Sequence, residues 1–248
     1  MFKKLIAAGF AVTLAASAAQ AASEKVLIVG TEPTFAPFDY IENNELVGFD
    51  IDIINAIGEA AGFKVQMQSM QFDGLIPALL SGSIDCIISG FTKTEERAKR
   101  VDFSDGYYVA GTDLMIRAED QGKIKSFNDL ENHKVCVQLG SSGAVLAGNI
   151  KGAEVLSFNT MPEAYLELSK KGCDAAVTDT PVNLFYLVQT KDTNLVHVPE
   201  SAVSIAEMGI ATQKGNKEAM DLINGGLRKI RADGTYDKIY QKWFASAK

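Results

Sequence analysis

Short apolar runs and amphipathic helical runs alternate along this chain, and the alternation fails at two places. "KVLIVG" (25–30) is a compact apolar run ending in glycine. "FDIDIINAIGEAAG" (49–62) repeats apolar residues at helical spacing, with Asp50 as a candidate N-cap and Gly62 as a stop. "KVQMQSM", "FDGLIPALLSG", "SIDCIIS" and "TEERAKRV" follow in turn. This βαβαβα order predicts a parallel sheet with helices on both faces, whose ligands bind beyond the carboxyl ends of the strands. At "FSDGYYVAGTDLMIRAED" (103–120) two extended runs stand with no helix between them. The rhythm restarts from "KVCVQLG" to "LVHVPE" and breaks again at "SAVSIAEMGIATQKG" (201–215). The tail is two helices split at Asp233–Gly234. Two α/β units joined by two extended crossings, near 107–111 and 204–208, predict two lobes around a cleft. Residues 22–106 and 209–248 form the first lobe and 107–208 the second. A two-stranded connection is a natural hinge.

The beginning of the chain is a separate matter. "MFKK", the apolar "LIAAGFAVTLAASAA" and the small-x-small "AQA" (Ala19, Gln20, Ala21) form the pattern of a cleavable signal peptide, residues 1–21. The run is too short for a comfortable membrane span, and no cysteine stands at the cleavage site, so no lipid anchor is expected there. Losing the leader with Lys3 and Lys4 takes the formal net charge from −7 to −9. An acidic chain has no electrostatic footprint for nucleic acid or an anionic membrane. Cys86, Cys136 and Cys173 each lie in or beside an apolar run, where buried free thiols are the expected state. A Cys136–Cys173 disulfide is the alternative in an oxidising compartment. Only His133 and His197 are present, neither at ligand spacing from a cysteine, so no metal site is expected.

One charge stands in an odd place. Thr94 reads as a helix N-cap, and Glu95 and Glu96 in the first turn suit the helix dipole. Arg97 follows at the third helical position, where the dipole disfavours a cation. An anionic ligand at this helix start would offset it, since the helix end and a bidentate guanidinium both attract anions.

The ordered motifs "GTEPTFAPFDY", "ELVGFDIDI", "FDGLIPALLSGSID", "TKTEERAKRVDFSDGYY", "VQLGSS", "DAAVTDTPV" and "GTYDKIYQKWF" make the chain resemble the polar amino-acid binding proteins of ABC importers, the glutamine and arginine binders among them. The resemblance covers essentially all of the chain after the leader. It implies an α/β, two-lobed periplasmic-binding-protein fold of type II that closes on one amino acid. It implies a periplasmic location, a membrane permease as partner, a monomer, and neither cofactor nor catalytic residue. By resemblance, Arg97 clamps the ligand α-carboxylate. Gly90 and Thr92 contact the ligand's α-groups, with Ser89 beside them. Ser142 offers its backbone N–H from the second lobe. Asp179 accepts the ammonium group, its plainer role being to cap the helix that begins at Thr180. Phe35 and Phe72 match the aromatic pair that sandwiches the ligand side chain.

Glu32 and Gln138 bear on which amino acid. The glutamine binder pairs an acidic residue at the position of Glu32 with a lysine, here replaced by Gln138, and its histidine is replaced by Thr178. The arginine binders resemble this chain in having Glu and Gln at these two positions. Glu32, Arg97 and Asp179 sum to −1, so an arginine or lysine ligand neutralises the site, while a zwitterion leaves a buried anion at a cost of several kcal/mol. Lys93 lies within reach of Glu32, and a pair there would favour glutamine or another neutral polar ligand, cystine included. An enzyme of the same fold, a dehydratase of prephenate or arogenate, is the distant alternative. It needs a general acid in the cleft, and Glu32 is the sole extra candidate. "INGGLRK" lacks P-loop spacing, and the third class, a receptor's sensor domain, finds no spanning segment after the tail.

Overall fold

The computed structural model describes residues 25–245. The signal-peptide reading of residues 1–21 lies outside them. β1 (Lys25–Thr31) lies in the first sheet between β5 (Phe63–Ser69) and β6 (Cys86–Ile87), parallel to both. A separate three-stranded sheet, β2 (Thr34–Phe35), β3 (Asp39–Glu42) and β4 (Glu45–Val47), leads into α1 (Phe49–Ala61). The alternation of apolar and helical runs gives no sign of this hairpin. It turns at Asn43 and Asn44, both at positive φ, which asparagine tolerates better than other side-chain-bearing residues.

α1 buries Phe49, Ile53, Ile54 and Ile57 and stops at Gly62, where φ is 81° and the N–H bonds Gly58 O. Asp50 is not its cap. The N-cap position is Gly48, and Asp50 lies buried inside the first turn, its carboxylate drawn to the Gly90 N–H instead. α2 (Leu75–Ser81) follows a 3₁₀ turn at Phe72–Gly74. α3 (Glu95–Ala98) is a single turn, shorter than "TEERAKRV" suggests, and β7 (Val101–Phe103) returns at the sheet's edge.

The chain then crosses. β8 (Tyr108–Arg117) belongs to a second sheet with β9 (Lys134–Gln138), β10 (Glu154–Phe158) and β11 (Ala175–Asp179). Its helices are α4 (Ser142–Gly148), α5 (Met161–Ser169) and α6 (Thr180–Thr190). β12 (Leu195–Met208) runs antiparallel to β8, pairing Tyr108 with Met208, and β13 (Ala211–Gln213) rejoins the first sheet between β6 and β7. "LVHVPE" and the crossing that follows are therefore one strand, interrupted by two register shifts with Ser204 at φ 56°. α7 (Lys217–Ala232) packs Ile223, Leu227 and Ile230 with α1, and α8 (Thr235–Phe244) sets Phe244 against Phe49 and Tyr108, with ring centroids 5.1 and 4.8 Å apart.

Cys136 and Cys173 are bonded to each other, which overturns the free-thiol expectation for both. Cys136 is on β9 and Cys173 lies two residues before the neighbouring β11, so their Cα atoms are 6.0 Å apart across 37 residues of sequence. Cys86 is a free, buried thiol.

Candidate functional site

The loop from Ile88 to Thr94 leaves the carboxyl end of β6 and is tied down along its length. Ile88 N–H bonds Gly30 O, Gly209 N–H bonds Phe91 O, and Lys93 N–H bonds Glu207 O at 2.8 Å. The loop is thus fastened to the crossing at Glu207–Gly209. Gly90 has φ 51°, and a Cβ there would sit 2.7 Å from the Phe35 ring, so only glycine fits. Thr94 caps α3 as its sequence predicts, accepting from Arg97 N–H at 3.2 Å.

Arg97 turns back over this loop. Its Nη1 donates to Thr92 O at 2.8 Å and its Nη2 reaches Gly140 O, across from the first sheet to the second, at 3.2 Å. The guanidinium lies 4.1 Å from the Phe91 ring centroid and 5.3 Å from that of Phe72. Burial pulls its pKa down to about 10, against the opposing pull of Asp179. The helix behind it is one turn long, so these side-chain and carbonyl contacts, rather than a helix dipole, hold the charge in place.

Asp179 ends β11 and occupies the N-cap position of α6, yet its side chain makes no capping bond. Its Oδ1 accepts from Thr112 Oγ1 at 3.1 Å. Burial pushes its carboxyl up to about 7, despite Thr112 and Arg97, and the neighbouring Asp113 adds to the rise. Asp113 is held by Asn183 at 2.6 Å and by Thr180 and His197 at 2.5 Å, which fixes the first turn of α6.

A narrow cavity between the two units brings these groups together. Phe35, Phe72, Gly90, Thr92 and Arg97 line it from one side, and Gln138, Ser142 and Asp179 from the other. Ser141, Gly143 and Thr178 also line it. Ser141 was missed because its hydroxyl is spent capping α4 at Ala144 N–H, which reads in sequence as a plain helix start. Gly143 packs α4 onto β11, since a Cβ would meet Val177 O at 2.8 Å.

Two of the expected residues are set back from the wall. Ser89 is fully buried, accepting Glu32 N–H at 3.0 Å and donating to Asp39 Oδ2 at 2.6 Å. Glu32 lies behind Gln138, whose Nε2 donates to Glu32 Oε2 at 3.2 Å, while Thr34 donates to Oε1 at 2.7 Å. Burial raises the Glu32 carboxyl, and these bonds lower it. Lys93 does not reach Glu32. Its ammonium pairs with Glu207 at 2.9 Å, which the crossing strand delivers to it. Among the described residues no group of three or more His, Cys, Asp or Glu is placed to hold a metal, and no helix is long and apolar enough to cross a membrane.

Comparison with known proteins agrees with this architecture. The arginine-binding extracellular protein ArtP of Bacillus subtilis (strain 168) is 34% identical over 91% of this chain and 88% of its own length. The structure of an ancestral arginine-binding protein bound to arginine is 45% identical, with a TM-score of 0.83 over 88% of this chain and 98% of that one. A structure of an ancestral arginine-binding protein bound to glutamine is 46% identical, with a TM-score of 0.81 over 88% and 97%. The model of the bacterial extracellular solute-binding proteins, family 3, matches residues 27–246. Two α/β units, a cavity between them walled by a guanidinium and a carboxylate, and this match across the chain have one reading: the protein belongs to family 3 of the bacterial extracellular solute-binding proteins, which take up polar amino acids with ABC transporters.

Proposed function

We propose that the protein captures a cationic L-amino acid of the arginine or lysine type in this cavity and delivers it to an ABC permease. The observation that carries the reading is the setting of Glu32, a buried carboxylate whose partners, Thr34 and Gln138, are both neutral while Lys93 is engaged by Glu207. With Arg97 and Asp179 the charge count stays at −1, and a ligand bearing +1 at its distal end neutralises it. Arg97 takes the α-carboxylate in bidentate fashion, Asp179 the ammonium group, and Phe35 and Phe72 flank the side chain. A neutral ligand such as glutamine is the second reading, favoured by the raised carboxyl of Glu32: if it holds a proton, the count is already zero.

The protein works as a monomer in the periplasm after its leader is cleaved, and it binds without turnover, leaving prephenate and arogenate intact. Residues 22–106 with 209–248 and residues 107–208 act as lobes that close about 107–111 and 204–208. A thermal-shift screen against the common amino acids tests the ligand. At 100 times its dissociation constant, the true ligand stabilises by about 2.7 kcal/mol. Arginine or lysine is expected to lead, and glutamine leading overturns the cationic assignment. Small-angle scattering tests closure: an unchanged radius at saturation removes the hinge.

A further inference from the structure

Behind the cavity wall two carboxylates are packed with no exposed surface, Asp39 at the head of β3 and Asp50 in the first turn of α1. Each uses one oxygen. Asp39 Oδ2 accepts from the hydroxyls of Ser89, at 2.6 Å, and Thr31. Asp50 Oδ2 accepts from Gly90 N–H at 2.6 Å and from the Tyr107 hydroxyl at 2.9 Å. The other oxygen of each, Oδ1 in both cases, is buried and without a partner. The backbone keeps the two residues close: Asp50 N–H bonds Phe38 O at 2.8 Å, and their partners Ser89 and Gly90 are consecutive.

Two ionised carboxylates, both desolvated, both short of one donor and both bonded only to neutral groups, form an arrangement that a single proton relieves. We infer that Asp39 and Asp50 hold one proton between them, and that this acid pair is the fastening that keeps the cavity's first-sheet loops in position. Ser89, held by Asp39, carries Glu32 N–H. Gly90, held by Asp50, carries the loop to Thr92 and Arg97. Tyr107, also held by Asp50, stands at the entry to β8, where its N–H bonds Met208 O. Glu32 and Tyr107 are the titratable groups that face the pair, and Glu32 adds a third negative charge on Asp39's side. Burial pushes both carboxyls up, Asp50 to about 7, and for Asp39 the charge of Asp50 adds to burial.

The sign of the pH effect follows. In the unfolded chain both aspartates ionise near pH 4, while the folded pair keeps its proton to higher pH. Stability is therefore greatest in mild acid and declines as pH rises toward the folded value. Three measurements on the purified protein test this, and none needs a ligand. In a carbon-13 NMR titration of the aspartate carboxyls, the pair is expected to release its last proton above about pH 6. Asp39→Asn places an amide donor where the proton sits and keeps an acceptor for Ser89. It is expected to melt higher than the wild type at about pH 8 and to lose part of the wild type's decline in melting temperature between about pH 5 and pH 8. Asp39→Ala is expected to melt lower at both pH values and to speed hydrogen exchange at the Gly90 amide, which Asp39→Asn leaves protected. Both carboxyls fully ionised at about pH 5 overturns the pair, as does an Asp39→Asn protein that melts as low as Asp39→Ala. The NMR titration decides on the wild type alone should a variant fail to fold.

Discussion

The two sheets of this protein repeat one plan and use it differently. In each, three parallel strands lie in the order second, first, third, with antiparallel strands from the crossings added beside the third. The first unit presents Gly90, Thr92 and Arg97 from a loop held by side chains distant in sequence, Asp50 on Gly90 and Glu207 on Lys93, and by the nearby Arg97 folded back onto Thr92. The second presents Gln138, Ser142 and Asp179 where β9 and β11 end and their helices begin, and a disulfide binds β9 to the entry of β11. The first wall thus leans on the buried Asp50 and Arg97 beside its backbone ties to the crossing, and the second on strand–helix junctions, the Asp113 cluster and a covalent tie. The same topology supports two ways of fixing a binding surface, and they fail under different insults.

The strongest test of the charge-built wall is Arg97→Ala. It removes the guanidinium that faces Asp179 and, in the proposed complex, leaves a ligand carboxylate buried and unpaired. Affinity for L-arginine is expected to drop by about 2–5 kcal/mol with the fold intact, as calorimetry with circular dichroism would report. Wild-type affinity in this variant would take Arg97 out of the site.

Glu32→Gln probes the contact between the walls, because Glu32 meets the second unit through Gln138. Arginine and lysine are expected to weaken by about 2–5 kcal/mol while glutamine holds or gains, since a buried unpaired carboxylate has been removed. An equal loss for all three ligands sinks the cationic assignment.

The covalently tied wall answers to Cys136→Ala with Cys173→Ala. Denaturant unfolding should show a loss of about 2–5 kcal/mol in stability. Affinity should change by less than about tenfold, because the loops remain anchored to their strands. Affinity falling in step with stability would show that the disulfide positions the site.

The mildest test is pH. Burial holds the ligand-free Asp179 carboxyl at about 7, so below neutrality an ammonium ligand must displace a proton. Affinity is expected to fall by up to about tenfold per unit as pH drops below 7, with proton release on binding. Affinity that stays flat down to about pH 5 would move the ammonium contact away from Asp179.

Much of this was legible in the sequence because it is written over short distances. Most helical and strand periods, the two breaks in the alternation and the Thr94 cap each span a few residues, and the structure shows them, with α3 cut to a single turn. The Arg97 puzzle could be posed from the same local evidence, since a cation in a first helical turn is odd whatever surrounds it. Local signals also misled. Asp50 looks like a cap beside a helical run, and "LVHVPE" looks separate from the crossing after it, because a buried acceptor's partner or a strand's continuation through a bulge leaves no periodic trace.

What the tertiary structure alone decided are pairings across long loops. Lys93 chooses Glu207, 114 residues away, over Glu32, because the crossing strand lies against its own backbone. Cys136 meets Cys173 because β9 and β11 are neighbours, although β10 and α5 intervene in the chain. Asp39 and Asp50 share a buried site only once the Ser89–Gly90 loop closes over them. Periodicity records which face of an element is buried, so most elements and their order can be read from the chain, the small β2–β4 sheet and the full length of β12 excepted. Which charges meet in the interior depends on how those faces stack, and that proximity exists only in the folded chain.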